Sequence, residues 1–388
     1  MGNCAHLPQL CCSGEGRHPL IDRWPTGTLL AEVLILRERN PGECRVAATP
    51  ETVRRLLARG LTLQVEQSAG LAAGYADHEF EAAGARLVAP GLELGAGVDA
   101  VLCVNSPAAE VLDQLRPGVL LAGLLSPYGA TALVEQLQAR RVSALALELL
   151  PRISRAQSMD VLSSQANIAG YKAVLLASAA LDRYVPMLMT AAGTIQPARA
   201  LILGAGVAGL QALATARRLG AVVYVSDVRP AAKEQVESLG GRFLSPPEQE
   251  ERPAESGGYA KAASEAFLAA QRQQLADQLA LADMVICTAQ VPGRRAPLLI
   301  SDEMLAGMRP GSVVVDLAVA QGGNCAGTVC GQTVERHGVR LIGGDGLPSS
   351  VANHASALYA RNLAALVEHV LVEEGFQLDQ EDPIVAGC

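Results

Sequence analysis

The chain has 388 residues, long enough for two or three domains, and half of them are apolar, so a large buried core can form. Its formal net charge of −8 gives no electrostatic basis for binding nucleic acid, and no apolar run approaches the roughly 18 residues of a membrane-spanning helix. Its nine cysteines are odd in number and lack paired C-x-x-C spacing, so we expect free or buried thiols and no metal site.

The first 28 residues show no periodicity and are expected to form a disordered N-terminal extension. They begin Met-Gly-Asn-Cys, which invites an interpretation as a lipidation signal. His6, however, stands where the myristoylation pattern requires Ser or Thr, and no signal-peptide core is present. Disorder is therefore the preferred prediction, with lipidation as the alternative.

From residue 29 onward, strands and helices alternate in a regular rhythm, which is typical of a doubly wound parallel sheet. The predicted strands are Leu29–Leu36, Leu61–Val65, Val98–Val104, Val119–Leu125 and Val142–Leu149. The predicted helices are Glu51–Arg59, His78–Ala85, Ala108–Leu115 and Ala130–Arg140. We assign residues 29–165, together with 350–388, to a first α/β domain that has no glycine fingerprint.

The next stretch, Pro151–Lys172, is richer in polar groups than a domain linker requires. Its polar side chains include Arg152, Gln157, Asp160 and Ser163. The second part of the stretch begins a long predicted helix, Val161–Leu181, which leads into a second domain assigned to residues 166–349.

The second domain opens with a dinucleotide-binding pattern. A buried strand, Leu201–Leu203, is followed by glycines in the spacing G-x-G-x-x-G, a helix, a second strand and an acid at its end. The glycines are Gly204, Gly206 and Gly209, the helix is Val207–Leu219, the second strand is Ala221–Val225, and the acid is Asp227. This complete order predicts a dinucleotide site rather than a glycine turn of a flavodoxin-like domain.

Each part of this pattern has a physical role. Gly204 permits a tight turn, Gly206 lets the backbone approach a pyrophosphate, and Gly209 lets the helix pack closely on the strand. The first N–H groups of the helix attract phosphates. Asp227 can accept hydrogen bonds from a ribose diol and repels a 2′-phosphate, which favours NAD(H) over NADP(H). Arg229 is the contrary signal, because a nearby arginine can hold a 2′-phosphate.

The remaining predicted elements complete the second sheet and end in a long helix. The helices are Ala231–Leu239, Ser264–Leu281 and Asp302–Met308, and the strands are Arg242–Leu244, Met284–Ala289, Ser312–Leu317 and Val339–Gly343. Ser349 or Ser350 is expected to cap the final helix, Val351–Val372. The predicted fold is therefore two doubly wound, parallel-sheet, Rossmann-like α/β domains joined by two long helices, with the ligand cleft between them.

Several stretches together make this chain resemble the NAD(H)-binding component of proton-translocating nicotinamide nucleotide transhydrogenase, whose fold is shared by alanine dehydrogenase. They cover about residues 30–375 and read GECRVAATPETV, RISRAQSMDVLSSQANIAGYKAV, LILGAGVAGLQALATARRLGA, DVRPAAKEQVESLGGRF, GGYAKAASEAF and VDLAVAQGGNC. The spacing Arg-x₄-Gln-x₂-Asp-x₂-Ser in the second of these is specific to the transhydrogenase branch.

The resemblance implies a function and a set of partners. The component would be a peripheral homodimer on the cytoplasmic or organelle-matrix side of a membrane. It would pass hydride between NAD(H) and NADP(H), with NADP(H) held by a separate component. A third, membrane-embedded component would couple the transfer to proton movement. No nucleic acid partner is expected.

The resemblance also assigns roles to residues. Arg152, Gln157, Asp160 and Ser163 match a catalytic loop that holds the nicotinamide and its ribose. We predict that Gln157 orients the nicotinamide or its ribose and that Arg152 and Asp160 pair with one another. The cofactor-binding positions are Gly204, Ala205, Gly206, Val207, Ala208, Gly209, Asp227, Val228, Arg229, Gly258, Tyr259, Thr288 and Ala289. Gly257–Tyr259 matches a mobile lid, although Tyr259 could instead simply pin a surface loop.

Three positions depart from the family pattern. Cys103 stands where a lysine is usual, Ala320 where an acidic or other polar residue is common, and Gln290 where an aliphatic residue is usual.

The sequence leaves two further functions open: an alanine dehydrogenase-like enzyme and a non-catalytic NAD-binding regulatory module. The first needs an acid–base group and a cation for the substrate carboxylate. The first half of the chain has no lysine before Lys172, and Arg45 is its candidate cation.

Overall fold

The computed structural model describes residues 31–91, 97–245, 265–291, 293–373 and 375–388. The described residues divide into two compact units. The first unit contains the described chain up to residue 175, residues 290–295 and the chain from 344 onward, and the second contains residues 176–289 and 296–343. The predicted N-terminal extension, residues 1–28, lies outside the described residues.

The first unit is built on a parallel sheet, as predicted. Its described strands are β1 (Glu32–Ile35), β2 (Thr62–Glu66), β3 (Arg86–Val88), β4 (Ala100–Asn105), β5 (Leu120–Leu124) and β6 (Ser143–Ala146). They pair in the order β3-β2-β1-β4-β5-β6 with every pairing parallel. The described helices are α1 (Pro50–Leu57), α2 (Asp77–Ala82), α3 (Ala109–Leu112), α4 (Thr131–Arg140) and α5 (Val161–Ala180). The edge strand β3 is not anticipated from the sequence, because it has only three residues and none of them is buried.

Both faces of this sheet are covered. Along β1, Val33 and Ile35 belong to one hydrophobic cluster, whereas Leu34 and the following Leu36 belong to another. Successive side chains of a strand point to opposite faces, so the two clusters lie on opposite sides of the sheet. Burial on both faces explains why the central strands β1, β4 and β5 carry nearly continuous apolar runs rather than an alternating pattern.

The described strands of the second unit are β7 (Leu188–Thr190), β8 (Gly193–Ile195), β9 (Arg199–Leu203), β10 (Val222–Ser226), β11 (Arg242–Phe243), β12 (Met284–Cys287), β13 (Val313–Asp316), β14 (Thr333–Arg336) and β15 (Val339–Gly343). Its described helices are α6 (Val207–Arg218), α7 (Ala232–Ser238), α8 (Glu265–Leu279) and α9 (Asp302–Ala306). Seven of the strands form a larger sheet in the order β11-β10-β9-β12-β13-β15-β14. The order reverses between β9 and β12, which is the position at which open α/β sheets bind ligands.

Two parts of the second unit differ from the expected purely parallel pattern. β14 pairs antiparallel with β15 at the edge of the sheet, and β7 and β8 form a separate antiparallel hairpin. The strands β7, β8 and β14 are short and mostly exposed, so they carry no buried apolar run that a sequence pattern could detect.

The C-terminal elements complete the first unit: α10 (Ala352–Val370), β16 (Leu371–Val372), β17 (Gly375–Phe376) and α11 (Pro383–Gly387). The fully buried Tyr359 of α10 donates a hydrogen bond of 2.8 Å to the carbonyl oxygen of Cys103 in β4. This contact fixes the helix to the sheet. None of the described helices is both long and apolar enough to cross a membrane.

The predicted serine cap of the final helix is wrong. α10 begins after Val351, and no side chain caps it. Ser349 and Ser350 lie in a 3₁₀ helix that precedes α10. The hydroxyl of Ser349 donates to Glu43, and the hydroxyl of Ser350 donates to the carbonyl oxygen of Leu347. Neither hydroxyl accepts a hydrogen bond from an N–H group at the start of α10.

Candidate functional site

Three neighbouring parallel strands of the second unit end at the residues predicted to bind the nucleotide. Gly204 follows β9, Asp227 follows β10, and Thr288 follows β12. The sheet places β9 between the other two. Because carboxyl ends of parallel strands meet at one edge, these positions, although far apart in sequence, form one group in the structure.

The turn between β9 and α6 is closely packed at two of its glycines. Gly204 has φ +101°, a conformation that favours glycine. A Cβ at Gly209 would lie 1.8 Å from the carbonyl oxygen of Gly204, so only glycine fits at this position of the helix. The close approach of α6 to the end of β9 therefore depends on Gly209.

Gly206 has a different environment from its neighbours. A Cβ there would have no described atom within 4 Å, and α6 begins just after it without a side-chain cap. The first N–H groups of a helix have no partner within the helix, so those of Val207, Ala208 and Gly209 are available to a ligand. This arrangement fits a pyrophosphate group, which needs both clearance above Gly206 and N–H donors.

The carboxylate of Asp227 is held by protein donors. Its Oδ2 accepts a hydrogen bond of 2.6 Å from the N–H of Ala205, which ties β10 to the glycine turn. Arg229 donates to the same carboxylate through its N–H and its guanidinium. Burial alone would raise the pKa of Asp227, but the bonds from Arg229 and Ala205 outweigh it and hold the pKa below its usual range. Next to it, Val228 is 78% exposed and offers an apolar surface.

The end of β12 is fixed by Thr288, a predicted cofactor-binding residue, and by Asn324, which the sequence interpretation did not assign to the site. The hydroxyl of Thr288 lies 3.1 and 3.0 Å from the carbonyl oxygens of Leu203 and Gly204, which links β12 to the glycine turn. Asn324, which is fully buried, accepts a bond from the N–H of Ala289 and donates to the carbonyl oxygen of the same residue.

Asn324 is itself positioned by Asp316 at the end of β13. Oδ2 of Asp316 accepts from the N–H groups of Asn324 and Cys325 and lies 3.0 Å from the hydroxyl oxygen of Thr328. Asp316 is fully buried. The sequence does contain a signal that could have identified Asp316 and Asn324. Asp316 is the last residue of an otherwise apolar strand, and Gly-Gly-Asn follows a few residues later.

The polar loop of the first unit forms a 3₁₀ helix, Ser154–Met159, followed directly by α5. Gln157 lies on this 3₁₀ helix, Arg152 precedes it, and both residues are exposed. The expected Arg152–Asp160 pair is wrong, since no ion pair joins these two described residues. Asp160 instead accepts from the N–H and the hydroxyl of Ser163 at 2.9 and 2.6 Å, in the manner of a helix cap.

Two further contacts hold this loop within the first unit, and neither was anticipated. Nδ2 of Asn362 in α10 donates to the carbonyl oxygen of Ser158 at 2.7 Å. Arg155 forms an ion pair of 3.0 Å with Asp382, which also accepts from the N–H of Ile384 at the start of α11. The flanks of Gln157 are therefore tethered while its side chain is exposed.

A buried ionic cluster lies elsewhere in the first unit. Glu43 pairs with Arg45 at 2.7 Å, and Nη1 of Arg45 donates to Gln165 at 2.9 Å. Burial opposes ionisation of Glu43, but the bonds from Arg45 outweigh it and lower the pKa to about 2. No ion pair joins nearby Glu38 to a cation in the described part of the chain, and burial raises its pKa to about 7. Arg45 is only 8% exposed, and its guanidinium is engaged in the bonds to Glu43 and Gln165.

The departures from the family pattern have different environments. Cys103 is buried in β4, and burial raises the pKa of its thiol well above the usual range, so the thiol is unreactive. Ala320 and Gln290 are both exposed.

Of the predicted cofactor residues, Gly258 and Tyr259, together with the rest of the proposed lid at Gly257, lie outside the described residues. Among the described residues no cluster of three potential metal ligands occurs.

Comparison with known proteins places this geometry in a family. The model of the alanine dehydrogenase/PNT N-terminal domain matches residues 34–169, and that of the C-terminal domain matches residues 173–388. The first part of NAD(P) transhydrogenase subunit alpha from Rhodospirillum rubrum is 47% identical over 338 residues, covering 86% of this chain and 88% of that protein. Alanine dehydrogenase of Bacillus subtilis is more distant, at 28% identity over 323 residues, covering 81% of this chain and 79% of that enzyme.

The fold agrees with the sequence comparison. The crystal structure of transhydrogenase from Sinorhizobium meliloti matches with a TM-score of 0.79 and 44% identity, covering 88% of this chain and 94% of that one. Both domain models, the sequence identity and the shared fold support the resemblance inferred from the motifs. The chain belongs to the alanine dehydrogenase/transhydrogenase family and, within it, to the NAD(P) transhydrogenase alpha subunits, which are oxidoreductases and translocases.

Proposed function

We propose that this chain is the NAD(H)-binding subunit of a proton-translocating transhydrogenase. It transfers hydride directly between NAD(H) on this chain and NADP(H) on a separate component, and a membrane-embedded component couples the transfer to proton translocation. The observation that carries the proposal is the space next to Gly206 that is free of described atoms, beside the uncapped start of α6 and with Asp227 at the neighbouring strand end. The 47% identical relative supports it.

The second unit would hold the adenosine and pyrophosphate groups. The N–H groups of Val207, Ala208 and Gly209 donate to the phosphates. Asp227 accepts from the ribose hydroxyls, and the exposed Val228 offers an apolar surface to the adenine. Thr288 and Ala289 line the next strand end, where the backbone of Ala289 is fixed by Asn324.

The polar loop of the first unit would hold the nicotinamide end. When bound, NADH supplies the hydride that reduces NADP⁺ on the partner component. This transfer requires no proton from the protein, but it requires correct placement of the reacting rings and exclusion of water. Gln157 orients the carboxamide or the ribose, and Arg152 offers a charge to the nucleotide. Asp160 and Ser163 position the loop through their cap of α5.

The alternative within the family is an alanine dehydrogenase activity. That reaction needs a free cation for the substrate carboxylate and a group that exchanges protons. Arg45 is buried and paired with Glu43, and Cys103 stands at the position where the family has a lysine. We therefore favour the transhydrogenase role. A non-catalytic NAD-binding module remains the third candidate, and it differs from both by showing no activity with any partner.

The proposal includes an assembly and a location. We infer a homodimer on the cytoplasmic or organelle-matrix side, attached to a membrane through its partner subunits. We also propose domain boundaries at residues 29–165 with 350–388 for the first domain and 166–349 for the second. The Rhodospirillum rubrum relative is named as the first part of a subunit alpha, which supports a divided complex of this kind.

Reconstitution with a partner tests the proposal. The purified chain is mixed with a purified NADP(H)-binding component, and reduction of an oxidised NAD analogue by NADH is followed with and without NADP(H). Turnover that requires both proteins and NADP(H) is expected. A mixture that binds NADH but stays silent would contradict the transhydrogenase role. Turnover of pyruvate and ammonia by the chain alone would support the alternative, and silence with every partner would support the regulatory module.

A further inference from the structure

The carboxylate of Asp227 has all its acceptor positions filled in this structure. Each carboxylate oxygen offers about two acceptor positions. Oδ1 accepts from the N–H and the Nε of Arg229, at 2.8 and 2.9 Å. Oδ2 accepts from the N–H of Ala205 at 2.6 Å and from Nη2 of Arg229 at 2.9 Å. The side chain of Asp227 is accordingly only 7% exposed.

Two of these four donors can leave and two cannot. The backbone N–H groups of Ala205 and Arg229 are fixed by the glycine turn and by the chain. The guanidinium belongs to a side chain that is 61% exposed, so it can rotate into solvent. Its departure frees one acceptor position on each oxygen of Asp227. Two free acceptors, one on each oxygen, match the two adjacent hydroxyls of a ribose.

We propose that Arg229 is a specificity-determining residue whose guanidinium competes with the adenosine ribose for Asp227 and thereby weakens discrimination between NADH and NADPH. The inference rests on the proposed binding of NAD(H) to this chain. NADH must displace the guanidinium before its ribose reaches the carboxylate, which lowers the affinity for NADH.

For NADPH the effect of Arg229 has the opposite sign. A 2′-phosphate near Asp227 meets like-charge repulsion. A guanidinium that has left the carboxylate remains within the same turn and can bind the phosphate through its planar fork of donors. Arg229 therefore favours the nucleotide that Asp227 disfavours. Opposite effects on two ligands distinguish this role from a structural one.

The test measures the affinities of Arg229→Gln for NADH and NADPH by calorimetry at one fixed ionic strength. NADH is expected to bind about three- to fivefold more tightly than to the unmodified chain, which is the scale of an exposed ion pair. NADPH is expected to bind about tenfold more weakly, because the phosphate loses a charged partner. Arg229→Lys keeps the positive charge but lacks the planar guanidinium. Its affinities for NADH and NADPH should lie between those of the unmodified chain and those of Arg229→Gln.

Arg218→Gln is the matched control. Arg218 is an exposed arginine at the end of α6, so the change in net charge is the same while the Asp227 carboxylate keeps its partners. Both affinities should stay unchanged. Thermal unfolding of the nucleotide-free proteins verifies that each variant is folded.

The outcomes separate this inference from the proposed function. Weaker binding of both nucleotides by Arg229→Gln would overturn the inference, because Arg229 would then support the site instead of competing for it. Unchanged affinities would overturn it as well, while NADH binding by the unmodified chain would leave the proposed function standing. An unmodified chain that binds no NADH would overturn both.

Discussion

Asn324 holds both backbone polar groups of Ala289. Its Oδ1 accepts from the N–H of Ala289 at 3.0 Å, and its Nδ2 donates to the carbonyl oxygen of the same residue at 2.9 Å. Nδ2 also lies 2.8 Å from the carbonyl oxygen of Pro297. One buried amide thus determines the path of the backbone at the end of β12, where the nucleotide is proposed to bind.

Asn324→Ala should damage both stability and nucleotide binding. The substitution removes a fully buried side chain and leaves the N–H and carbonyl groups of Ala289 and the carbonyl group of Pro297 without this partner, so we expect a loss of about 2–4 kcal/mol in the free energy of unfolding. Denaturant unfolding and NADH titration measure the two effects. Asn353→Ala is the control, because exposed Asn353 in the other unit donates from its side chain to one described group, the carbonyl oxygen of Ala73. A variant of Asn324 that binds NADH normally would argue against its positioning role.

Two glycines of the nucleotide turn should respond differently to the same change. Gly209→Ala places a methyl group against the carbonyl oxygen of Gly204, so we expect a destabilisation of at least about 2 kcal/mol. Gly206→Ala meets no described atom, so stability should change by less than about 1 kcal/mol. The added methyl group fills the space proposed for the pyrophosphate, and NADH affinity should fall at least about tenfold.

Unfolding curves and NADH titrations of Gly206→Ala and Gly209→Ala form one matched experiment, because both variants add the same methyl group at positions three residues apart. Tight NADH binding by Gly206→Ala would show that this space does not hold the pyrophosphate. The stability of Gly209→Ala tests the packing of α6 independently of any ligand.

Gln157→Ala should slow hydride transfer without abolishing NADH binding. The side chain is exposed on a loop whose flanks are tethered by Asn362 and Asp382, so its removal leaves the loop in place. We expect a transfer rate at least about tenfold lower and an NADH affinity changed by less than about threefold, because misplacement of the reacting rings is costly. Stopped-flow transfer in the reconstituted complex gives the rate.

Gln157→Glu keeps the length of the side chain and exchanges its amide for a carboxylate, so it serves as the comparison. If it transfers hydride as slowly as Gln157→Ala, the amide group itself is required. An equal loss of rate and affinity in Gln157→Ala would instead assign the residue to ground-state binding.

The pH dependence of stability should carry a contribution from Glu38. Burial raises the pKa of this carboxyl to about 7 in the folded chain, above its ordinary value of 4.5. The folded state therefore binds more protons than the unfolded state between these values. Stability from this group is fully present below about pH 4.5 and decreases as the pH rises through 7. Across this pH range, the contribution of Glu38 to the free energy of unfolding decreases by at most about 3 kcal/mol.

Denaturant unfolding at several pH values between about 5 and 8 measures this slope, and Glu38→Gln should flatten it because the amide does not titrate. The carboxyl accepts from the N–H of Val104 at 2.6 Å and faces Asn105 and Glu43. Glu43, whose pKa is lowered to about 2, titrates in a separate, more acidic window. An unchanged slope in Glu38→Gln would assign the dependence to another group.

The sequence alone determined the fold class, the family and the positions at the strand ends. Buried parallel strands such as β9 and β12 contain continuous apolar runs, and the glycine spacing has a local steric cause, so both can be recognised from neighbouring residues in the sequence. By contrast, β3, β14 and the β7–β8 hairpin were not predicted, because these short strands bury too little to leave an apolar pattern.

Only the tertiary structure decided which polar groups hold one another. Asn324 and Ala289 are 35 residues apart, and Asp382 meets Arg155 across 227 residues, so no spacing rule connects them. The same reason explains why Ser349 donates to Glu43, 306 residues away in the sequence. The cap of α5 is different, because Asp160 bonds to Ser163 only three residues further on. Hydrogen bonds need partners within about 3 Å in space, and that proximity is created only when the sheets have formed.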